Sequence, residues 1–143
     1  MKYVVDTCII NKLADGTLSL EHLPSDGEYV VSHVQIDELK KTKSDARRAQ
    51  LLATFSSVID VVAPTESLVV GISRIGAAKL SDGKDYTALK ASLDALNKGK
   101  SNNANDVLIA EVALKNGFTL ITSDRPLSEA ATKHGCKVLY VEI

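Results

Sequence analysis

Four carboxylates, Asp6, Glu38, Asp106 and Asp124, stand where this sequence could assemble a reaction centre. Asp6 closes the apolar run Lys2-Tyr3-Val4-Val5, and Asp124 comes just after Thr119-Leu120-Ile121-Thr122; both runs read as short buried strands. Asp106 opens the run Asp106-Val107-Leu108-Ile109-Ala110-Glu111-Val112-Ala113-Leu114, which has helical spacing. Glu38 lies four residues after Val34, on the same face of a helix, and is expected to look inward, whereas Asp37 aligns with His33 and Lys41 and is expected to look outward. Each acid alone has an ordinary explanation: Asp6, Asp106 and Asp124 as helix caps or turn formers, Glu38 as a solvated helical glutamate. Together they change the energetics. Like charges about 4 Å apart repel by roughly 1 kcal/mol in water and about 4 kcal/mol in a partly buried site, so clustered carboxylates protonate or bind a cation. Ligands that are all oxygen select Mg2+ or Mn2+ over zinc, and such an ion suits phosphodiester hydrolysis by an activated water.

The elements that must position these acids alternate in type. A strand over residues 2–5 leads through Asp6-Thr7 into a helix to Leu13, and a second strand, Tyr29-Val30-Val31-Ser32, precedes a helix from about Val34. Ser44-Asp45 caps a helix with Ala46, Ala49, Leu52 and Phe55 at helical spacing, and Val58-Ile59-Asp60-Val61-Val62 reads as a strand ended by Pro64. One further helix is expected after Thr65, carrying Leu68, Ile72 and Ile75, and another from about Asp85 through Leu89, Leu93 and Leu96. Residues 97–105 read as a loop, Gly117 as the stop of the helix that Asp106 opens, Leu127 to His134 as a short helix, and Lys137-Val138-Leu139-Tyr140-Val141 as a last strand. Short apolar strands alternating with helices predict an α/β three-layer α/β/α domain with a central, mainly parallel sheet. In such sheets the ligand crevice lies beyond the carboxyl ends of the strands, which is where Asp6 and Asp124 fall.

A chain of 143 residues, 45% hydrophobic and 24% charged, is expected to form one domain, residues 1–143, around a real core. Nothing approaches the roughly 20 apolar residues of a membrane span, so a cytoplasmic protein is expected. Cys8 and Cys136 are too few for a disulfide framework and read as small buried apolar residues. His22, His33 and His134 show no catalytic spacing and read as surface or capping residues. The net charge of −1 advertises no nucleic-acid partner, so any basic contact must be local. Lys40, Lys41, Lys43, Arg47 and Arg48 follow Glu38 and could hold an RNA backbone, although a solvated helix face explains them as well. Arg125, next to Asp124, could bind a phosphate or pair with a carboxylate.

The order Val4-Val5-Asp6-Thr7, Ile36-Asp37-Glu38-Leu39, Asn105-Asp106-Val107-Leu108-Ile109-Ala110 with Ala113 and Gly117, then Thr122-Ser123-Asp124, resembles the PIN domain over nearly the whole chain. The resemblance implies a magnesium- or manganese-dependent endoribonuclease with catalytic Asp6, Glu38, Asp106 and Asp124. Asp6, Asp106 and Asp124 would hold the metal, with the hydroxyls of Thr7 and Thr122 beside it. It also implies a VapC-like toxin neutralised by an antitoxin, commonly as a homodimer. One departure stands out: where many members carry a further acid two positions after the fourth, this chain has Pro126. The competing readings are a noncatalytic metal- or protein-binding module of the same fold, a phosphoryl-transfer protein and a flap-type DNA nuclease. A phosphatase would want another Asp two residues after Asp6, where Cys8 stands, and a receiver domain would want paired acids and a late lysine.

Overall fold

In a computed structural model that describes residues 1–63, 84–100 and 103–142, strands and helices alternate along the chain. The order is β1 (Lys2–Val5), α1 (Thr7–Ala14), a 3-10 turn (Leu20–His22), β2 (Glu28–Ser32), α2 (His33–Lys40), α3 (Asp45–Val58), β3 (Val61–Ala63), α4 (Lys84–Asn97), α5 (Asn103–Asn116), β4 (Thr119–Thr122), α6 (Arg125–Lys133) and β5 (Lys137–Tyr140). The helix expected after Thr65 lies outside the described residues. All four strand pairings are parallel, in the order β3-β2-β1-β4-β5. Two successive crossovers lead from β1 out to β3, and the chain then returns to the other side of β1 to lay down β4. The direction of winding therefore reverses between β1 and β4, the place where such sheets open a crevice.

Strand periodicity sorts the core into two layers. Val4, Val30 and Leu120 point to one face, against Leu89 and Leu93 of α4, Val107, Ile109, Ala110 and Ala113 of α5, and Leu127, Ala130 and Ala131 of α6. Tyr3, Val5, Tyr29, Val31 and Ile121 point to the other, against Ile9 and Ile10 of α1, Leu39 of α2, and Leu51 and Val58 of α3. Helices thus cover both faces of a parallel sheet, the three-layer α/β/α arrangement expected. Gly117 (φ +68°) and Gly135 (φ +90°) end α5 and α6 in the left-handed region that glycine enters without a Cβ penalty. Among the described residues no helix is long and apolar enough to cross a membrane.

Three expectations need correction. Residues 97–105 are not all loop, because α5 begins at Asn103, one turn before Asp106. Asn103, 1% exposed, is held inside by a side-chain network: its amide donates to Asp94 Oδ1 (2.6 Å) and Asn97 Oδ1 (2.8 Å). The strand expected over residues 58–62 is β3, Val61–Ala63, because α3 continues through Val58. On α3 the buried residues are Leu51 and Val58, two turns apart, while Ala46, Ala49 and Leu52 are exposed and Phe55 is half-buried. Leu52 and Leu51 are alternative stripes of the same helix. The one that wins brings Arg47 and Gln50 against α1, where Arg47 pairs with Asp15 (2.6 Å) and the Gln50 amide donates to Ala14 O (2.7 Å).

Gln35 joins α2 to the end of β1. It is fully buried; its Oε1 accepts the Ser32 N–H (2.9 Å) and its Nε2 donates to Val5 O (2.6 Å), the carbonyl immediately before Asp6. Glu38 follows one turn later on the same helix. Substitution Gln35→Ala leaves two buried backbone groups unpaired and is expected to cost about 2 kcal/mol, seen as a lower midpoint in urea unfolding; an unchanged midpoint would show that the bridge contributes nothing to the packing of α2.

Candidate functional site

The reversal between β1 and β4 brings the sequence-predicted acids together. A cavity of about 250 Å3 is lined by Asp6, Thr7, Cys8, Asn11, Glu38, Asp106 and Asp124. Asp6 leaves the end of β1, its N–H donating to Ile121 O of β4 (3.0 Å). It occupies the N-cap position of α1 but makes no side-chain cap bond, so the capping explanation does not account for it. Asp124 does cap: its Oδ1 accepts the Leu127 N–H at the start of α6 (3.2 Å) while the residue also lines the cavity. Asp106 stands in the first turn of α5, past the N-cap. Glu38, half-buried near the end of α2, accepts the Asn105 amide (2.7 Å), which links α2 to the opening of α5. Asp37 is also half-buried but is not part of the cavity wall.

Hydrogen bonds around Asp6 organise one side of the site. Thr122, fully buried at the end of β4, donates to Asp6 Oδ2 (2.7 Å) and accepts the Asp124 N–H (3.0 Å). Its hydroxyl is thus committed to holding two acids, from behind the cavity wall. The Cys8 thiol also donates to Asp6 Oδ2 (3.2 Å) and accepts from Ser123 Oγ (3.2 Å). Thr7 differs: the residue lines the cavity, and its hydroxyl is shut off from solvent with no hydrogen-bond partner among the described residues. An orphaned donor of this kind is costly unless something else meets it.

The acids perturb one another. Burial, then the charges of Asp6, Asp124 and Glu38, push the Asp106 carboxyl up to about 8, against a smaller downward pull from Lys100. Burial also raises Asp6, opposed by the hydrogen bonds from Thr122 and Cys8, and raises Glu38, opposed by the Asn105 amide. Burial and the Asp6 charge lift the Cys8 thiol to about 11, so at neutral pH it is an S–H donor. Among the described residues no group of three or more His, Cys, Asp or Glu side chains is placed, as they stand, to hold a metal ion. The acids nevertheless suit a hard cation that keeps several waters: they are oxygen donors, and the cavity they line has room for a partly hydrated ion. A cation bound there would draw on Asp6, Asp106 and Asp124, with Glu38 and Thr7 lining the same cavity.

The basic residues lie elsewhere than on the acid wall. Lys40, Lys41 and Lys43 are exposed where α2 ends, and the Lys41 charge reaches Glu38. Arg47 is paired with Asp15, and Arg48 with Asp45 and the Thr42 carbonyl. The Arg125 guanidinium lies 5.1 Å from the centre of the Tyr140 ring. Sequence reasoning overlooked Asn11 and Lys100, took Cys8 for a small buried apolar residue and gave Asn105 no role of its own. Cys8 and Asn11 fall one turn apart on the helix that follows Asp6, and Asn105 precedes Asp106, so proximity to the acids was the available signal. It also misjudged His33, read as a surface or capping residue, which is 3% exposed. A second cavity, about 340 Å3 and lined by Thr17, Leu18, His22, Leu139, Tyr140, Val141 and Glu142, gathers only one carboxylate.

No protein-family model matches the chain, and no curated protein matches its sequence. Solved structures do share its fold. VapBC2 from Rickettsia felis, bound to a DNA fragment from its promoter, superposes with a TM-score of 0.58 at 17% identity, covering 99% of this chain and 100% of that one. A domain of a functionally unknown protein from Methanocaldococcus jannaschii gives 0.53 at 18% identity, covering 99% and 91%. VapBC-5 from Mycobacterium tuberculosis, a member of the VapBC family of toxin-antitoxin systems, gives 0.50 at 22% identity, covering 99% and 98%. At these identities the likeness establishes a common α/β fold.

Proposed function

We propose that this chain is a divalent-metal-dependent endoribonuclease, with Mg2+ or Mn2+ held by Asp6, Asp106 and Asp124, and that it acts as the toxin of a toxin–antitoxin pair. The observation behind this reading is the cavity between β1 and β4, where four carboxylates from separate parts of the chain share one wall and leave Asp106 with a carboxyl group raised to about 8. The fold shared with VapBC structures supports the toxin assignment and a protein antitoxin as partner.

When bound, the cation supplies Lewis-acid polarisation of a phosphate oxygen and a more acidic water. The chain's own contribution is placement and proton handling. Thr122 and Cys8 hold Asp6 by Oδ2; Asn105 holds Glu38 by Oε1; Thr122 ties the Asp124 backbone to the same group. Glu38, in the same cavity and partly desolvated, is the carboxylate that would accept a proton from an attacking water. Lys41 and the other cations that follow α2 supply positive charge outside the acid wall, where an RNA backbone would run.

Three outcomes are expected. Asp6→Asn lowers the rate of RNA cleavage at least about a hundredfold, measured on a fluorogenic single-stranded RNA with Mn2+ and with circular dichroism as the check on folding; full activity in a folded Asp6→Asn protein removes Asp6 from the mechanism, and metal binding without any cleavage by the wild type favours the noncatalytic module. The second concerns protons. Because the Asp106 carboxyl is raised in the folded protein, its contribution to metal-free stability is most favourable at low pH and is lost as pH climbs from the ordinary carboxylate range through about 8. Thermal midpoints in EDTA should therefore fall across that window, Mn2+ should restore them most strongly at its alkaline end, and Asp106→Asn should flatten the profile; a metal-free midpoint that rises with pH would contradict the electrostatics described above. Third, induced expression of the wild type in a bacterial host should arrest growth, and Asp106→Asn should not; equal growth of the two would remove the toxin role.

A further inference from the structure

Cys8 is placed unlike an apolar filler. It sits two residues after Asp6 in the first turn of α1, half-buried on the wall of the acid cavity. Its sulfur has polar neighbours on both sides: it donates to Asp6 Oδ2 at 3.2 Å and accepts from Ser123 Oγ at 3.2 Å, with Thr122 Oγ1 at 3.8 Å. Thr122 spends its only proton on the same Asp6 oxygen, at 2.7 Å. A thiol and a hydroxyl thus converge on Oδ2 from α1 and from the end of β4, and Ser123 closes the link between the two elements through sulfur.

We infer that Cys8 is a positioning residue of the acid cavity, its thiol fixing Asp6 by one carboxylate oxygen so that the other is presented to the bound cation. This rests on the reading of the cavity as a cation site. Three arguments support it. An apolar filler would not be placed among a carboxylate and two hydroxyls, because a buried carboxylate beside an apolar surface loses solvation without compensation. A thiol is also a weak donor, so it can restrain the direction of a carboxylate while leaving most of its charge for a metal. Partners that orient a metal ligand from behind are, moreover, what sets its geometry and affinity.

The test is Mn2+ binding by isothermal titration calorimetry on the full chain, comparing the wild type with Cys8→Ala, Cys8→Val and Cys8→Ser. Both apolar variants should bind Mn2+ at least about tenfold more weakly, with kcat reduced and KM for RNA unchanged. Cys8→Ser, which restores a donor at the same place, should recover most of the affinity. Having two apolar variants keeps the test informative if one of them fails to fold. Wild-type affinity in a folded Cys8→Ala or Cys8→Val protein overturns the positioning role, as does a Cys8→Ser protein no better than the apolar variants. If Asp6→Asn loses Mn2+ while the Cys8 variants keep it, the cation site stands and only the role of Cys8 fails; if the wild type binds no Mn2+, both fall together.

Discussion

Mutual repulsion among desolvated carboxylates is the constraint around which the rest of this molecule is arranged. Bringing Asp6, Glu38, Asp106 and Asp124 to one cavity raises the free energy of the folded chain wherever they are ionised; burial first, and then the charges of the other three acids, push the Asp106 carboxyl up. The fold can bear it because two packed apolar layers surround a sheet whose strands are buried on both sides. Strain at a reaction centre offset by packing elsewhere is a common pattern in enzymes, and a counter-ion would turn the same repulsion into attraction.

The fold also moderates the cost locally. Asp106 lies in the first turn of α5, where the helix dipole and unpaired N–H groups favour negative charge. Glu38 lies near the end of α2, where that term is unfavourable, and there the Asn105 amide supplies the compensation. Asp6 has no cap bond to satisfy its side chain and depends instead on Thr122 and Cys8. Three acids are thus stabilised in three different ways, and two of them, Glu38 and Asp6, use a neighbour from another element. Gln35 performs the corresponding task for the backbone by tying the start of α2 to the last carbonyl of β1.

Much of this could be read before any coordinates. The short apolar runs of β1, β2 and β4 and the helical spacing in α1 and α4 to α6 are local patterns, and they led to the α/β/α architecture and to the strand ends that bear Asp6 and Asp124. The start of α5 was misplaced because Asn102, Asn103 and Asn105 all suit a helix entrance, and only the pairing of Asn103 with Asp94 and Asn97 settles which residue goes inside. The buried stripe of α3 was misread because Leu51 and Leu52 are adjacent and either could face the sheet; Arg47 and Gln50 decide it by meeting α1. His33 was read as a surface or capping residue because its burial depends on what packs against α2.

By itself, the sequence determined which residues could do chemistry and which element each would occupy, since residue type, strand period and helix period are properties of neighbouring positions. Whether the acids would meet was a different question. It was decided when β4 paired with β1 across more than a hundred intervening residues, setting Thr122 against Asp6 and Asp124 beside them. A hydrogen bond between such distant positions leaves no periodic mark, and a thiol reads the same whether it fills space or holds a carboxylate. Only the packed chain shows which of its neighbours Cys8 touches.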